Sequence, residues 1–367
     1  MLILDRSLVD EVGFNPYYQL MDKDKYIDLA SNNYLGLADD IRVKRASISA
    51  IEQYGTSMCG TPIATGYISL FSELERRLSA FVGLEDTIIF PSCYQANNGI
   101  FASMADKDDL IIVDRYAHSS LIQGIKAVGC KISPFLHNDM NHLEKILARS
   151  QRYRQIFVVT ESVFSTEGSI APLDEISALC ERYGALTIVD DSHGIGVLGK
   201  NGGGILEYLG MTNYQGIYTA SLGKALANSG GVVAGTRKII EVLRYYCPQL
   251  IFSTAVTPAT LGGINGVLDV IETDFELLSK RMWHYKEIIN QSGNYFMKSQ
   301  APINAIPTGS AKNTLMLAKK LFEYGIFTTP FIEPSVPKNE GVVRMIAGAG
   351  LTEQQVHYAI EKIKVSV

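Results

Sequence analysis

Seven short runs rich in apolar residues, at 87–90, 110–114, 131–135, 156–160, 186–190, 216–219 and 232–234, punctuate this chain. Most are separated by segments with the spacing of amphipathic helices, such as 173–183. A strand that is apolar without alternation has both of its faces covered. Strands that alternate with helices pair in parallel, because each helix carries the chain back across the sheet. The pattern predicts an α/β fold: a mostly parallel seven-stranded sheet with helices on both faces.

One helix is legible in detail. Over 69–82 the residues Leu70, Phe71, Leu74, Leu78 and Phe81 recur at helical spacing, and Gly83 stands where a left-handed terminator belongs. Near residue 260 the rhythm changes to one long helical reading, 260–289, and the remainder of the chain reads as a smaller α+β unit. It comprises a helix at 313–324, a proline-rich turn at 331–337, a strand at 342–347 and a last helix from Thr352, where Gln355 can return a bond to the Thr352 amide. The expected domains are an N-terminal segment 1–45, a large domain 46–258 and a small C-terminal domain 259–367.

Composition narrows the function classes. With 47% hydrophobic and 19% charged residues in 367, the chain is too apolar for disorder. A net charge of −5 with scattered basic residues lacks the footprint that nucleic acid requires. No apolar run approaches the roughly 18 residues of a membrane span, so integral membrane contact is not expected. Cys59, Cys93, Cys130, Cys180 and Cys247 form no CxxC pair and read as reduced thiols in a cytoplasmic protein, and no metal site is expected.

In an open parallel sheet, ligands bind beyond the carboxyl ends of the strands, so the polar residues that follow the apolar runs carry the interest. Asp190 and His193 follow one run and His118 another; the stretch from Cys93 and Tyr94 to Asn97 leads from a third into a helix start, and Ser221 and Lys224 follow a fourth. Each alone has an ordinary explanation, an aspartate as a helix cap or a lysine as a solvated charge. Their joint occurrence on one strand edge does not. Gly194, Gly196 and Gly199 also satisfy GxGxxG, the pattern of dinucleotide-binding folds. That fingerprint needs its first glycine directly after the first strand of a βαβ unit and an acid about 20 residues later. Here Asp190 to His193 intervene and the later stretch is Gly210-Met-Thr-Asn-Tyr214, so the match reads as a loop coincidence.

In order and spacing, the Asn97 segment, His118, the stretch 161–165, Asp190 with His193, Ser221 with Lys224, and Arg344 resemble the α-oxoamine synthase family of pyridoxal-phosphate enzymes. The stretches 31–36, 137–139, 171–173 and 251–255 match further motifs, and the resemblance runs over most of the chain. It implies a pyridoxal 5'-phosphate cofactor carried as a Schiff base on Lys224, which then serves as the proton-transfer base. Asp190 would pair with the ring nitrogen, His193 with the phenolic oxygen, and His118 would stack on the ring. The amides of Cys93 and Tyr94 and the hydroxyl of Ser221 would take the phosphate. Ser253 and Thr254 would reach the phosphate of the neighbouring subunit in a homodimer. Ser165 would lie beside the cofactor and Asn32 beside the substrate, while Arg344 would clamp the carboxylate of an amino acid by two parallel bonds.

The reaction so implied joins an amino acid to an acyl thioester, on coenzyme A or a carrier protein, with loss of carbon dioxide, giving an α-amino ketone. Another reaction of the same fold, such as transamination, is the alternative, because fold, lysine and aspartate are shared. A non-catalytic partner subunit is the other, against which the joint presence of Lys224, Asp190 and both histidines argues. Two positions depart from the resemblance: Pro62 and Phe71 stand where most members carry an arginine and a histidine. A subgroup that makes long-chain amino ketones lacks both as well.

Overall fold

The computed structural model describes residues 6–16 and 25–367, which fall into two compact units. The larger, Leu37–Phe164 with Ile170–Glu276, is built on one sheet. Its strands are β1 (Asp86–Phe90), β2 (Leu110–Asp114), β3 (Lys131–Phe135), β4 (Ile156–Glu161), β5 (Leu186–Asp190), β6 (Ile217–Ser221) and β7 (Gly231–Gly235), in the order β1-β7-β6-β5-β4-β2-β3. Strands β2 to β6 pair in parallel, as the apolar runs predict. β7 runs antiparallel to both β6 and β1.

The reason that these runs are continuously apolar is visible along β2. Leu110 and Ile112 pack with Leu143 and Ile176 in one core, while Ile111 and Val113 pack with Ile100 and Leu121 in another. Successive side chains point to opposite faces of a strand, so a sheet covered on both faces needs an apolar residue at every position. Each fully buried aliphatic side chain contributes about 1.5–3 kcal/mol. The helix Ser69–Val82 ends at Gly83 in the left-handed region, φ 72°, where its amide takes a carbonyl of the last turn.

The smaller unit comprises the described residues up to Gly36, Ser165–Ser169 and Leu277–Val367. Gly341–Met345 is the middle strand of an antiparallel sheet, flanked by Thr329–Phe331 and Asn304–Gly309. The edge strand Asn304–Gly309 escapes a sequence reading because Pro307 interrupts its pattern, and an edge is where a sheet tolerates proline. Glu353–Lys364 has the expected capping box, Gln355 amide to Thr352 Oγ1 at 3.2 Å and Thr352 amide to Gln355 Oε1 at 2.9 Å.

These units divide the chain differently from the expected 1–45, 46–258 and 259–367. The first half of the helix Pro258–Asn290 belongs to the larger unit because its glycines seat on the helix Ile41–Tyr54: a Cβ at Gly262 would stand 2.5 Å from that of Ala50, and one at Gly266 2.7 Å from that of Ala46. The described residues before Leu37 join the smaller unit because Ile27–Asp28 pairs in parallel with Ile326–Phe327 and the Ile346 amide donates to the Leu29 carbonyl at 2.9 Å. Shortening Ile112 to Ala removes contacts from a fully buried site in the sheet's centre. It is expected to lower unfolding free energy by about 2–5 kcal/mol, measured by urea titration.

Candidate active site

Asp190 ends β5 and is buried. Its Oδ2 accepts from Asn97 Nδ2 at 2.7 Å and its Oδ1 from the Ser192 amide at 3.0 Å. Asn97 projects from the helix Cys93–Met104, and its amide nitrogen also donates to Ser120 Oγ at 2.8 Å. Ser120 Oγ lies 2.8 Å from His118 Nδ1, which also accepts the Ser120 amide at 3.2 Å and so caps the helix Ser119–Val128. Because Nδ1 accepts, the remaining proton of the neutral ring lies on Nε2. Desolvation pushes the His118 pKa below its ordinary value; the Asp190 carboxylate opposes this and the Lys224 cation adds to it.

The helix Cys93–Met104 begins beside the same strand edge. Ser92 caps it by accepting the Gln95 amide at 3.1 Å, leaving the amides of its first turn, at Cys93 and Tyr94, pointing out of the helix start. Its position is set by backbone contact: a Cβ at Gly231 would lie 2.6 Å from the Cys93 nitrogen, so β7 presses directly on the first helical turn. Cys93 Sγ lies 3.4 Å from Ser192 Oγ, and burial, followed by the charge of Asp190, pushes its thiol up to about 12. Cys93 is a neutral filler and not a nucleophile. Gln95 Nε2 donates to Ser253 Oγ at 3.3 Å, which brings Ser253 to this helix start within one chain, next to the exposed Thr254.

Lys224 stands in the connection between β6 and β7. There the Leu222 amide donates to the Gly230 carbonyl at 3.0 Å, the Asn228 amide to the Leu222 carbonyl at 3.0 Å and the Ala227 amide to the Lys224 carbonyl at 2.9 Å. Ser221 donates its amide to Ser192 Oγ at 2.9 Å, and its own Oγ accepts the Gly223 amide at 3.2 Å. The fields of Asp190 and Lys224 are both felt at His118 and at Cys93, so these four groups share one site. His193, three residues past the end of β5, is buried.

In the smaller unit Arg344 is 4% exposed. Its two terminal nitrogens donate to the carbonyls of Ser165 at 3.2 Å and Ala30 at 3.4 Å, and its guanidinium lies 4.9 Å from the centre of the Phe331 ring. Among the described residues its Nε has no partner, nor does the buried Oδ1 of Asn32. A buried guanidinium with an unspent donor is costly unless an anion completes it. Ser165 thus belongs, through its carbonyl, with Arg344.

Three residues around the site are absent from its sequence-derived members: Asn97, which enters only within a motif, Ser192 and Asp191. Asp191 is fully buried; its Oδ2 accepts from Tyr218 Oη at 2.8 Å and from the Ile205 amide at 3.0 Å. The run of two acids after an apolar strand was the available signal, since one of two adjacent carboxylates must face away from the other.

The aminotransferase class I and II family model matches residues 24–363. The chain is 37% identical over 357 residues to an 8-amino-7-oxononanoate synthase of Alkaliphilus metalliredigens, covering 96% of this chain and 90% of that one. It is 33% identical to 8-amino-7-oxononanoate synthase 1 of Bacillus subtilis, covering 93% and 88%. Among solved structures it is similar to a serine palmitoyltransferase from S. paucimobilis with bound PLP and myriocin: 25% identity, TM-score 0.93, 98% and 95% covered.

Burial raises the Asp191 carboxyl to about 7, against the Ser162 hydroxyl and the hydrogen bonds from Ile205 and Tyr218 and together with repulsion from Asp190. The folded chain therefore holds a proton that the unfolded chain releases near the ordinary aspartate pKa of about 4. Stability contributed by that proton is present at low pH and is lost as pH rises from about 4 to about 7. Asp191→Asn removes the titration, so its melting temperature is expected to change less than the parent's between pH 5 and pH 7, followed by circular dichroism.

Proposed function

Because this chain belongs to the aminotransferase class I and II family, and within it to the α-oxoamine synthases, we propose that it condenses an amino acid with an acyl thioester, releasing carbon dioxide and a thiol and leaving an α-amino ketone. The product that names its relatives, 8-amino-7-oxononanoate, carries its amine on the carbon beside its ketone, the pair of groups that such a condensation creates. The observation that carries this reading is the buried Asp190 carboxylate, held by Asn97 and Ser192 at a strand end where the charge of Lys224 is also felt.

The donor set fits pyridoxal 5'-phosphate: a fixed anion for a pyridine nitrogen, an amine for an aldehyde, and the open helix start at Cys93 and Tyr94 for a phosphate. When bound, this cofactor supplies a protonated ring that withdraws charge from the α-carbon of the amino acid. Lys224 would hold the cofactor through Nζ, and its free amine would take the α-proton of the amino acid. Asp190 keeps the ring nitrogen protonated, since a carboxylate beside it favours the charged form. His193 donates to the phenolic oxygen. His118, kept neutral by its lowered pKa, offers a flat apolar face to the ring. The amides of Cys93 and Tyr94 and the hydroxyl of Ser221 take the phosphate.

Arg344 and Asn32 hold the amino-acid carboxylate, which supplies the anion that the unpartnered Nε of Arg344 calls for. Ser165 fixes Arg344 through its carbonyl and lies beside the cofactor. Thr254, exposed beside Ser253, would reach the phosphate of a second copy in a homodimer, while Ser253, the other residue expected to do so, is held by Gln95 at its own chain's helix start; support for a second copy is the neighbouring Phe252, 83% exposed, with Tyr245 and Tyr246 also largely bare. The five thiols, all free, suit a cytoplasmic setting.

Amino acid and acyl-CoA, without any keto acid, should release free thiol, read with a chromogenic thiol reagent; transamination under those conditions releases none. Lys224→Ala is expected to lower that release by at least about a hundredfold, the low end of what a positioned proton-transfer group provides, while cofactor still binds without covalent attachment. Arg344→Lys, which loses the forked donor pair, should raise the KM for the amino acid by roughly ten- to a hundredfold and leave the cofactor Kd within about twofold. Equal losses of both would mark the arginine as structural.

A further inference from the structure

Asp191 has no part in the proposed chemistry, and neither does the glycine loop 194–204. Together they form a device. The loop begins where the amides of Gly194 and Ile195 donate to the Asp191 carbonyl, each at 3.0 Å, and it ends where the Ile205 amide meets Asp191 Oδ2 at 3.0 Å. A Cβ at Gly194 would strike Asp191 Oδ1, and one at Gly204 would strike Oδ2. The chain is therefore wrapped closely around this one carboxylate, which Tyr218 of β6 pins from the sheet.

A second carboxylate, Glu207, gathers the loop's tip: its Oε1 accepts the Asn201 amide at 3.1 Å and its Oε2 the Gly203 amide at 2.8 Å. Between the two anchors, Gly196, at φ 71°, runs so close to the lysine turn that a Cβ there would stand 2.6 Å from the Ala225 Cβ. Ala225 is fully buried and directly follows Lys224. The GxGxxG spacing thus has its own cause: the three glycines make room for Asp191, Ala225 and Glu207 in turn.

We propose that Asp191 is a positioning residue for Lys224, closing the loop 194–204 so that Gly196 bears on Ala225 and fixes the direction in which the lysine leaves its turn. This inference rests on Lys224 being the cofactor's anchor. The Tyr218 hydroxyl and the Ile205 amide both donate to the same oxygen, a geometry that an amide at position 191 holds less firmly.

The test uses the purified full chain as apoprotein in four forms: parent, Asp191→Asn, Gly196→Ala, and Gly196→Ala with Ala225→Gly. Each is mixed with pyridoxal phosphate, reduced with borohydride after increasing times, and the labelled fraction of Lys224 is read by peptide mass; kcat and KM for thiol release are measured alongside. Asp191→Asn and Gly196→Ala should each slow labelling and lower kcat about tenfold, with KM for the amino acid within about twofold. Ala225→Gly should restore the part of the Gly196→Ala loss that comes from direct contact, the left-handed φ of 71° at position 196 accounting for the remainder. Parental labelling rates and kcat in Asp191→Asn and Gly196→Ala overturn the proposal. So does a Gly196→Ala defect that Ala225→Gly leaves unchanged, which would mean backbone strain alone. If Asp191→Asn fails to fold, the Gly196 and Ala225 pair decides. A parent chain that is never labelled at Lys224 overturns the functional reading itself, and the inference with it.

Discussion

A carboxylate taken out of water must be given donors, and in this chain the cost of burying Asp190 is met by one group from a distant part of the sequence and one from two residues on. Asn97 reaches it from the helix that follows β1, and Ser192 from the turn that follows β5. Asn97 is itself held by Ser120, and Ser120 by His118, so one hydrogen-bonded line runs from the sheet through two helix starts. Remove the anion and each of these polar groups loses its reason to be inside. The site is in this sense organised around a charge, and the apolar core exists to keep water from it.

The sheet was legible because its signal is redundant. Each of the seven runs recurs as a strand, and in all but the edge strand β3 most positions are buried on both faces and admit few residue types. The reversal of β7 was not legible for the same reason: Val232, Val233 and Ala234 are buried whichever way the strand points. The site residues stood out through spacing, as Asp190 with His193 and Ser221 with Lys224 do. Their supports did not, because Asn97, Ser120 and Ser192 act across gaps of 93, 23 and 29 residues that no local pattern records. The compact units part from the expected domain limits within the long helix Pro258–Asn290, whose uninterrupted periodicity hides the point where it changes neighbours.

The two departures from the family resemblance also acquire physical reasons. Phe71 is fully buried on the inner face of the helix Ser69–Val82, where an imidazole would need a hydrogen-bond partner. Pro62 opens the short turn Pro62–Gly66, for which its fixed φ is already suited, and that turn lies against Ala255: the Ala255 amide donates to the Gly60 carbonyl at 2.9 Å. Both positions serve packing in this chain.

The connection that bears Lys224 differs in kind from the others around the sheet. It joins two adjacent antiparallel strands, and its ends are tied by main-chain bonds from Leu222 to Gly230 and from Asn228 to Leu222. A crossover through a helix can lengthen or shorten at its surface without disturbing what its strands present. A tied return cannot, because its ends are bonded to one another and a single inserted or deleted residue would shift the amine relative to both strands. Over evolutionary time the spelling of this turn is therefore freer than its length, and lineages that change their substrates have to do so with other parts of the chain.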